Sequence, residues 1–352
     1  VRHAGGMLSR RVAVLVPAVA ASLVLAACSS DSEPKAEPEA SKGAGAKLVQ
    51  VSPVTGEALP DGPPDNPVFV VKIENTANGA PQVALDKADL VVEELVEGGL
   101  TRLAALYYSE LPDQVGHVRS MRATDIGIAA PVAGQIVASG GASGTIRKVK
   151  KAGITVFSED EGAAGFSSDP AKVRPYNRLI DLQRLDKAAK VAPIPGPYLP
   201  WTPVKGSEAA EESAAPESSA SAAPKPTPAS TASVRFSPFS TTQWKRDGDT
   251  WVRTNGHAAK EFKADTLVVM FADVGDAGYT DPAGNPVPET KMKGSGRAVL
   301  LTADGALETT WTKKSNDSTI TFEAKDGTPV RVTPGKTWIE LVPEGDGALD
   351  VG

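Results

Sequence analysis

The sequence predicts an α+β/α/β chain of two unlike domains: an N-terminal α/β domain with a mixed sheet over 49–205, and a mostly antiparallel β domain over 234–346. Three observations predict it. The 27 residues 207–233 are nine Ala, seven Ser, four Pro, four Glu, two Thr and one Lys, which divides the chain. Before that stretch, strand-like apolar runs alternate with helix-like ones, the pattern of a sheet layered with helices. After it, short β-rich runs recur between Gly and Asp with no helical period.

The elements follow in order. Val68–Ile73 reads as a buried strand. Leu90–Val96 and Thr101–Tyr108 flank Gly98-Gly99, which reads as a two-residue type I′ hairpin turn. Thr124 is placed to cap a helix from Asp125 to about Gln135, with Pro131 able to kink it. Ile136–Ala138 reads as a strand ending in Gly140-Gly141. Ser143–Lys151 reads as a helix stopped by Gly153, and Ile154–Phe157 as the next strand. In the second domain the strand-like runs are Trp251–Arg253, Thr266–Phe271, Ala298–Thr302, Glu308–Lys313, Thr319–Glu323, Val330–Thr333 and Thr337–Val342. Trp244, Trp251, Trp311 and Trp338 fall in this domain and read chiefly as core residues, with sugar stacking as the other reading.

The amino terminus carries Arg10-Arg11, an apolar run Val12–Leu25, and Leu25-Ala26-Ala27-Cys28. A basic segment, a short apolar run and small residues before a cut form a secretory signal over 1–27. Fourteen residues of helix span about 21 Å, against roughly 30 Å of hydrocarbon. Leu-Ala-Ala-Cys resembles the lipobox of bacterial lipoproteins, which implies cleavage before Cys28 and acylation of its thiol. Cys28 is the sole cysteine, so no disulfide framework or thiolate zinc site is available. Residues 28–48 lack large apolar side chains until Leu48 and read as a disordered tether; 206–233 reads as a disordered linker. The expected location is the extracytoplasmic face of a bacterial membrane, reached through the lipid on Cys28.

Charge narrows the function. The chain holds 37 Lys+Arg against 43 Asp+Glu, a net −6. That balance argues against nucleic acid. Three constellations carry the chemistry. Glu93, Glu97 and Arg102 share a face if the turn has two residues, forming either a cross-strand charge cluster or the floor of a polar pocket. Arg119 and Arg122, flanking Ser120 before the Thr124 helix, suit an anion or else pair with Glu93, Glu97 or Asp125. Ser139-Gly140-Gly141-Ala142-Ser143 joins a strand to a helix, where ligands collect in α/β sheets. It lacks the nucleophile-elbow and P-loop spacings, and a plain turn is the competing reading. No cofactor and no metal site is read from the sequence.

The runs Ala88–Arg102 and Gly116–Arg122, with Asn66-Pro67, Pro81-Gln82 and Gly140–Ser143, resemble the hallmark segments of the YerB-like lipoproteins, a family of unknown function. Thr310–Lys313 and Pro334–Ile339 are similar to its C-terminal domain. The resemblance implies a two-domain surface lipoprotein and no established reaction. Two departures are visible: Pro175-Tyr176-Asn177 where the family has Pro-His-Asn, and His117 where it has Pro. The expected function is a lipid-anchored protein whose Glu93, Glu97, Arg102, Arg119, Ser120, Arg122, Ser143 and Asn177 line a cleft for an anionic or glycan-like envelope ligand. The alternatives are a structural partner of an envelope protein complex and a carboxylate-dependent envelope hydrolase.

Overall fold

The computed structural model describes residues 48–208, 210, 225–281 and 284–352. The signal segment 1–27, Cys28 and the tether up to residue 47 lie outside the described residues, as do 209 and 211–224 of the linker. Strand formation has resumed by Thr231, inside the stretch read as linker, because Ala232 and Val234 alternate inward there.

The first half supplies β1 (Phe69–Glu74), β2 (Leu90–Leu95), β3 (Thr101–Tyr107), α1 (Asp125–Ala129), β4 (Gln135–Ala138), α2 (Ser143–Lys151) and β5 (Val156–Ser158). The second supplies β6 (Thr231–Ser237), β7 (Ser240–Asp247), β8 (Thr250–Arg253), β9 (Lys263–Ala264), β10 (Thr266–Ala272), β11 (Val274–Thr280) and β12 (Pro286–Thr290). It continues with β13 (Gly294–Thr302), β14 (Gly305–Lys313), β15 (Thr321–Ala324), β16 (Pro329–Val330), β17 (Thr337–Pro343) and β18 (Ala348–Val351).

Eleven strands form one sheet in the order β16-β15-β14-β13-β10-β17-β2-β3-β1-β4-β5. The sheet runs through both halves. β17 lies between β10 and β2 and is parallel to each, so the second half is not purely antiparallel. β10 and β17 are buried at every position and β2 at all but Leu95, as in strands covered on both faces. One face packs against α1, α2 and the segment bearing Tyr198, Leu199 and Trp201. The other packs against a second sheet, β9-β8-β7-β6-β18. Between the two sheets Trp244 meets Trp338 edge-on, with ring centroids 5.2 Å apart, and Trp251 is fully buried.

Helix is scarcer than the α/β reading expected; the fold is mostly β. The helix expected over 125–135 stops after five residues. Pro131 enters a 3-10 turn, Ala133 takes a left-handed conformation, and the chain passes straight into β4. Gly134 permits this, since a Cβ there would stand 2.7 Å from Val70 Cγ2. Thr124 caps nothing with its side chain; its Oγ1 accepts the Thr290 N–H at 3.0 Å instead.

The β2–β3 hairpin corrects a second expectation. Its loop is Glu97-Gly98-Gly99, with Gly98 and Gly99 at φ +70° and +72°, and Val96 N–H closes it onto Leu100 O. Three loop residues instead of two shift the register by one. Arg102 therefore pairs with Glu94, and Glu93 with Leu103. A one-residue shift exchanges the two faces of a strand.

Candidate functional site

The register splits the predicted cleft in two. On the face of Glu94 and Arg102 lie the three arginines. Arg122 bonds Glu97 through Nε (3.1 Å) and NH2 (2.5 Å), both to Oε2. Arg119 Nε donates to Glu74 Oε2 at 2.6 Å, and its guanidinium lies 5.0 Å from the centroid of the Tyr176 ring. Arg102 is treated differently. It is 6% exposed and forms no ion pair among the described residues. Its one hydrogen bond runs from NH1 to Ser120 O at 3.1 Å, and Nε meets no acceptor. Burial, and then the charge of Arg122, bring its pKa down to about 10. Arg119 repels it as well, while Glu74 and Glu97 partly offset this. Arg102 and Arg122 both donate to Ser120 O, the latter at 3.4 Å, with Glu74 and Glu97 close enough to act on Arg102.

Beneath them Lys72 bridges Glu94 Oε1 (2.5 Å) and Asp125 Oδ1 (2.6 Å), all three buried. Asp125 Oδ2 accepts the Arg122 N–H at 2.7 Å, which fixes the arginine loop to the sheet. Burial raises the Glu94 carboxyl above its usual range.

Glu93 is on the other face, apart from the arginines it was expected to join. Its Oε1 accepts from Asn75 Nδ2 (2.9 Å) and Thr242 Oγ1 (3.1 Å). Its cross-strand neighbour is Glu340 on β17, within hydrogen-bonding reach. Burial, and then the charge of Glu93, push the Glu340 carboxyl well above its usual range.

Ser143 opens α2 with its side chain in solvent, away from any hydrogen bond to the arginines; only the loop before it touches them, through Ser139 N–H to Arg119 O and Met121 N–H to Gly140 O. Asn177 follows Tyr176, and its Oδ1 is buried without a donor. His117 is fully buried between Gly79 O (2.8 Å, from Nδ1) and Asp169 Oδ2 (2.9 Å, from Nε2). The described residues hold no group of three or more His, Cys, Asp or Glu arranged for a metal.

Sequence reasoning missed Lys72, Glu74, Asn75 and Glu340. A signal existed for two of them. Lys72 within Val70-Val71-Lys72-Ile73 and Glu340 within Trp338-Ile339-Glu340-Leu341-Val342 are charges set inside apolar strands, which need buried partners.

Two family models match the chain: "Protein of unknown function (DUF3048) N-terminal domain" over 54–194, and its C-terminal domain over 232–339. The Bacillus subtilis (strain 168) protein called "Putative lipoprotein YerB" is 26% identical over 290 residues, covering 80% of this chain and 82% of that protein. The crystal structure of the YerB protein from Bacillus subtilis superposes with a TM-score of 0.65 at 20% identity, covering 86% of this chain and 99% of that one, a likeness of fold.

Proposed function

The chain belongs to this two-domain family of unknown function, and on that premise we propose that it is a lipid-anchored envelope protein that holds an anionic group on Arg102, Arg119 and Arg122. Anchoring rests on the Leu-Ala-Ala-Cys28 lipobox and on the name of the relative. The extracytoplasmic face follows from the signal segment. The observation that carries the ligand reading is Arg102. A guanidinium taken out of water without a counter-ion costs several kcal/mol. Here the missing partner leaves Nε bare in a shell where Arg119 and Arg122 are each already paired. A carboxylate or phosphate would complete it with charge-assisted hydrogen bonds. Glu97, bonded twice to Arg122, acts in this reading as the group that aims the guanidinium, not as an acid or base.

Arg102→Met tests the proposal. Expected is loss of inorganic phosphate binding by calorimetry and of retention on isolated cell wall, with a folded state as stable as the parent or more stable by on the order of 1 kcal/mol, because an uncompensated buried charge has gone. A variant that melts much earlier while still binding phosphate would make Arg102 a structural residue.

A further inference from the structure

The other face of the hairpin carries a site of opposite sign. Where the β2–β3 loop meets the β6–β7 turn there is a cleft of about 190 Å³, lined by residues from both halves, among them Asn75, Glu93, Thr101, Phe239, Thr242 and His257. The two turns are fastened together: Ser237 Oγ donates to Gly99 O at 2.6 Å. Gly99 suits the fit: its φ is +72°, and a Cβ there would crowd Phe239 Cδ2 and Ser237 Oγ at 3.0 Å.

The chemistry of the lining is specific. Glu93 is 1% exposed and has no ion pair among the described residues. Its Oε2 meets no N–H or alcohol donor. Arg253, the cation on the cleft wall, is already committed: to Glu261 at 2.9 Å, to Asn75 Oδ1, to Gln82 Oε1 and to the face of Trp338 at 4.5 Å. The Asn75 amide is used up as well, its Nδ2 on Glu93 and Thr101 and its Oδ1 accepting from Gln82 and Arg253. What the cleft lacks is a positively charged donor for Glu93. At its rim stands Phe239, 78% exposed, the most exposed large apolar side chain described. An exposed aromatic ring and a buried carboxylate with no cation partner lining one cleft suit a cation with hydrogen-bond donors, which gains from the ring face and from the carboxylate together.

We propose that this cleft binds a primary ammonium group, seated on Glu93 with Phe239 over it. The ammonium is that of an amino sugar or of a lysine-type side chain. Glu340 serves as the positioning residue, holding the Glu93 carboxyl from the next strand.

Calorimetry on the full chain with four probes tests it: glucosamine, its neutral counterpart N-acetylglucosamine, Nα-acetyl-lysine amide, and the same lysine amide acetylated on Nε. Expected is binding of one or both amines and at least tenfold weaker binding of the neutral counterparts. The tighter of the two amines identifies the source of the ammonium. Glu93→Gln is expected to weaken the amine at least tenfold, and Phe239→Ala several-fold. Phe239 is a surface side chain, so that variant reads the site even if Glu93→Gln fails to fold. No binding by either amine, equal binding of amine and neutral probe, or amine binding indifferent to Phe239→Ala overturns the proposal.

Discussion

Charges placed inside strands decide most of what this molecule can do. Lys72 pairs with Glu94 and Asp125 while Glu94 Oε2 is left without a donor, Arg102 and Glu93 have no ion-pair partner among the described residues, and burial raises the Glu340 carboxyl. The last has a consequence for stability. A carboxyl whose folded pKa is raised binds a proton that the unfolded chain has already released, so its contribution is present below the unfolded value near 4.5 and is lost as pH rises toward the folded value. Stability is therefore expected to decline from about pH 5 upward by this group's share. Glu340→Gln keeps the shape and the Trp244 partner but cannot ionise. Urea unfolding at pH 5, 6, 7 and 8 should show a flatter profile and a gain at the alkaline end; an unchanged slope would mean that Glu340 is not the group responsible. The arginines were legible in advance because Val118-Arg119-Ser120-Met121-Arg122 sets guanidiniums about one turn apart in a single loop. The Glu93–Glu340 pair was not, because strand partners so distant in the chain leave no local trace.

At the level of elements, the hairpin loop is the point where prediction and structure part. Strand positions were readable from apolar runs: β1, β2, β3, β10, β14 and β17, like the helix α2, all fall within a few residues of expectation. Register was not, since Gly98-Gly99 serves a two-residue or a three-residue loop equally well and only the closure of Val96 on Leu100 chooses between them. The β11–β12 arm was also missed, its Gly, Asp and Pro content masking the strands; it folds back on α2 through Tyr279 Oη and Thr145 Oγ1 at 2.7 Å. The loop glycines make a graded prediction. Gly98→Ala meets nothing within 4 Å and should cost only the left-handed backbone term, about 1 kcal/mol. Gly99→Ala adds the collision with Phe239 and Ser237 and should cost more, on the order of 2 kcal/mol. Denaturant midpoints for the two variants give the comparison, and equal losses would mean that the two turns do not press on each other.

Across the whole molecule, the two family domains are matched separately in sequence yet share one sheet, with β17 wedged between β10 and β2. A β domain acting alone as a detachable interface is thus a poor description, since removing it strips β2 of a partner along its whole length. A protease site engineered at residue 216 should, after cutting, leave two fragments that co-elute in size exclusion and separate only in denaturant. Fragments that part in native buffer would refute the shared sheet. None of the described helices is long and apolar enough to cross a membrane. The same wedge sets an order of events during synthesis. The rim of β2 leaves the ribosome roughly 250 residues before the strand that covers it, a separation that slows closure of the sheet. Until the final stretch is translated, the growing polypeptide carries a bare, hydrophobic strand border able to adhere to its neighbours. A stop codon placed just ahead of Thr337 would leave that border open for good, and the shortened product should be found in inclusion bodies.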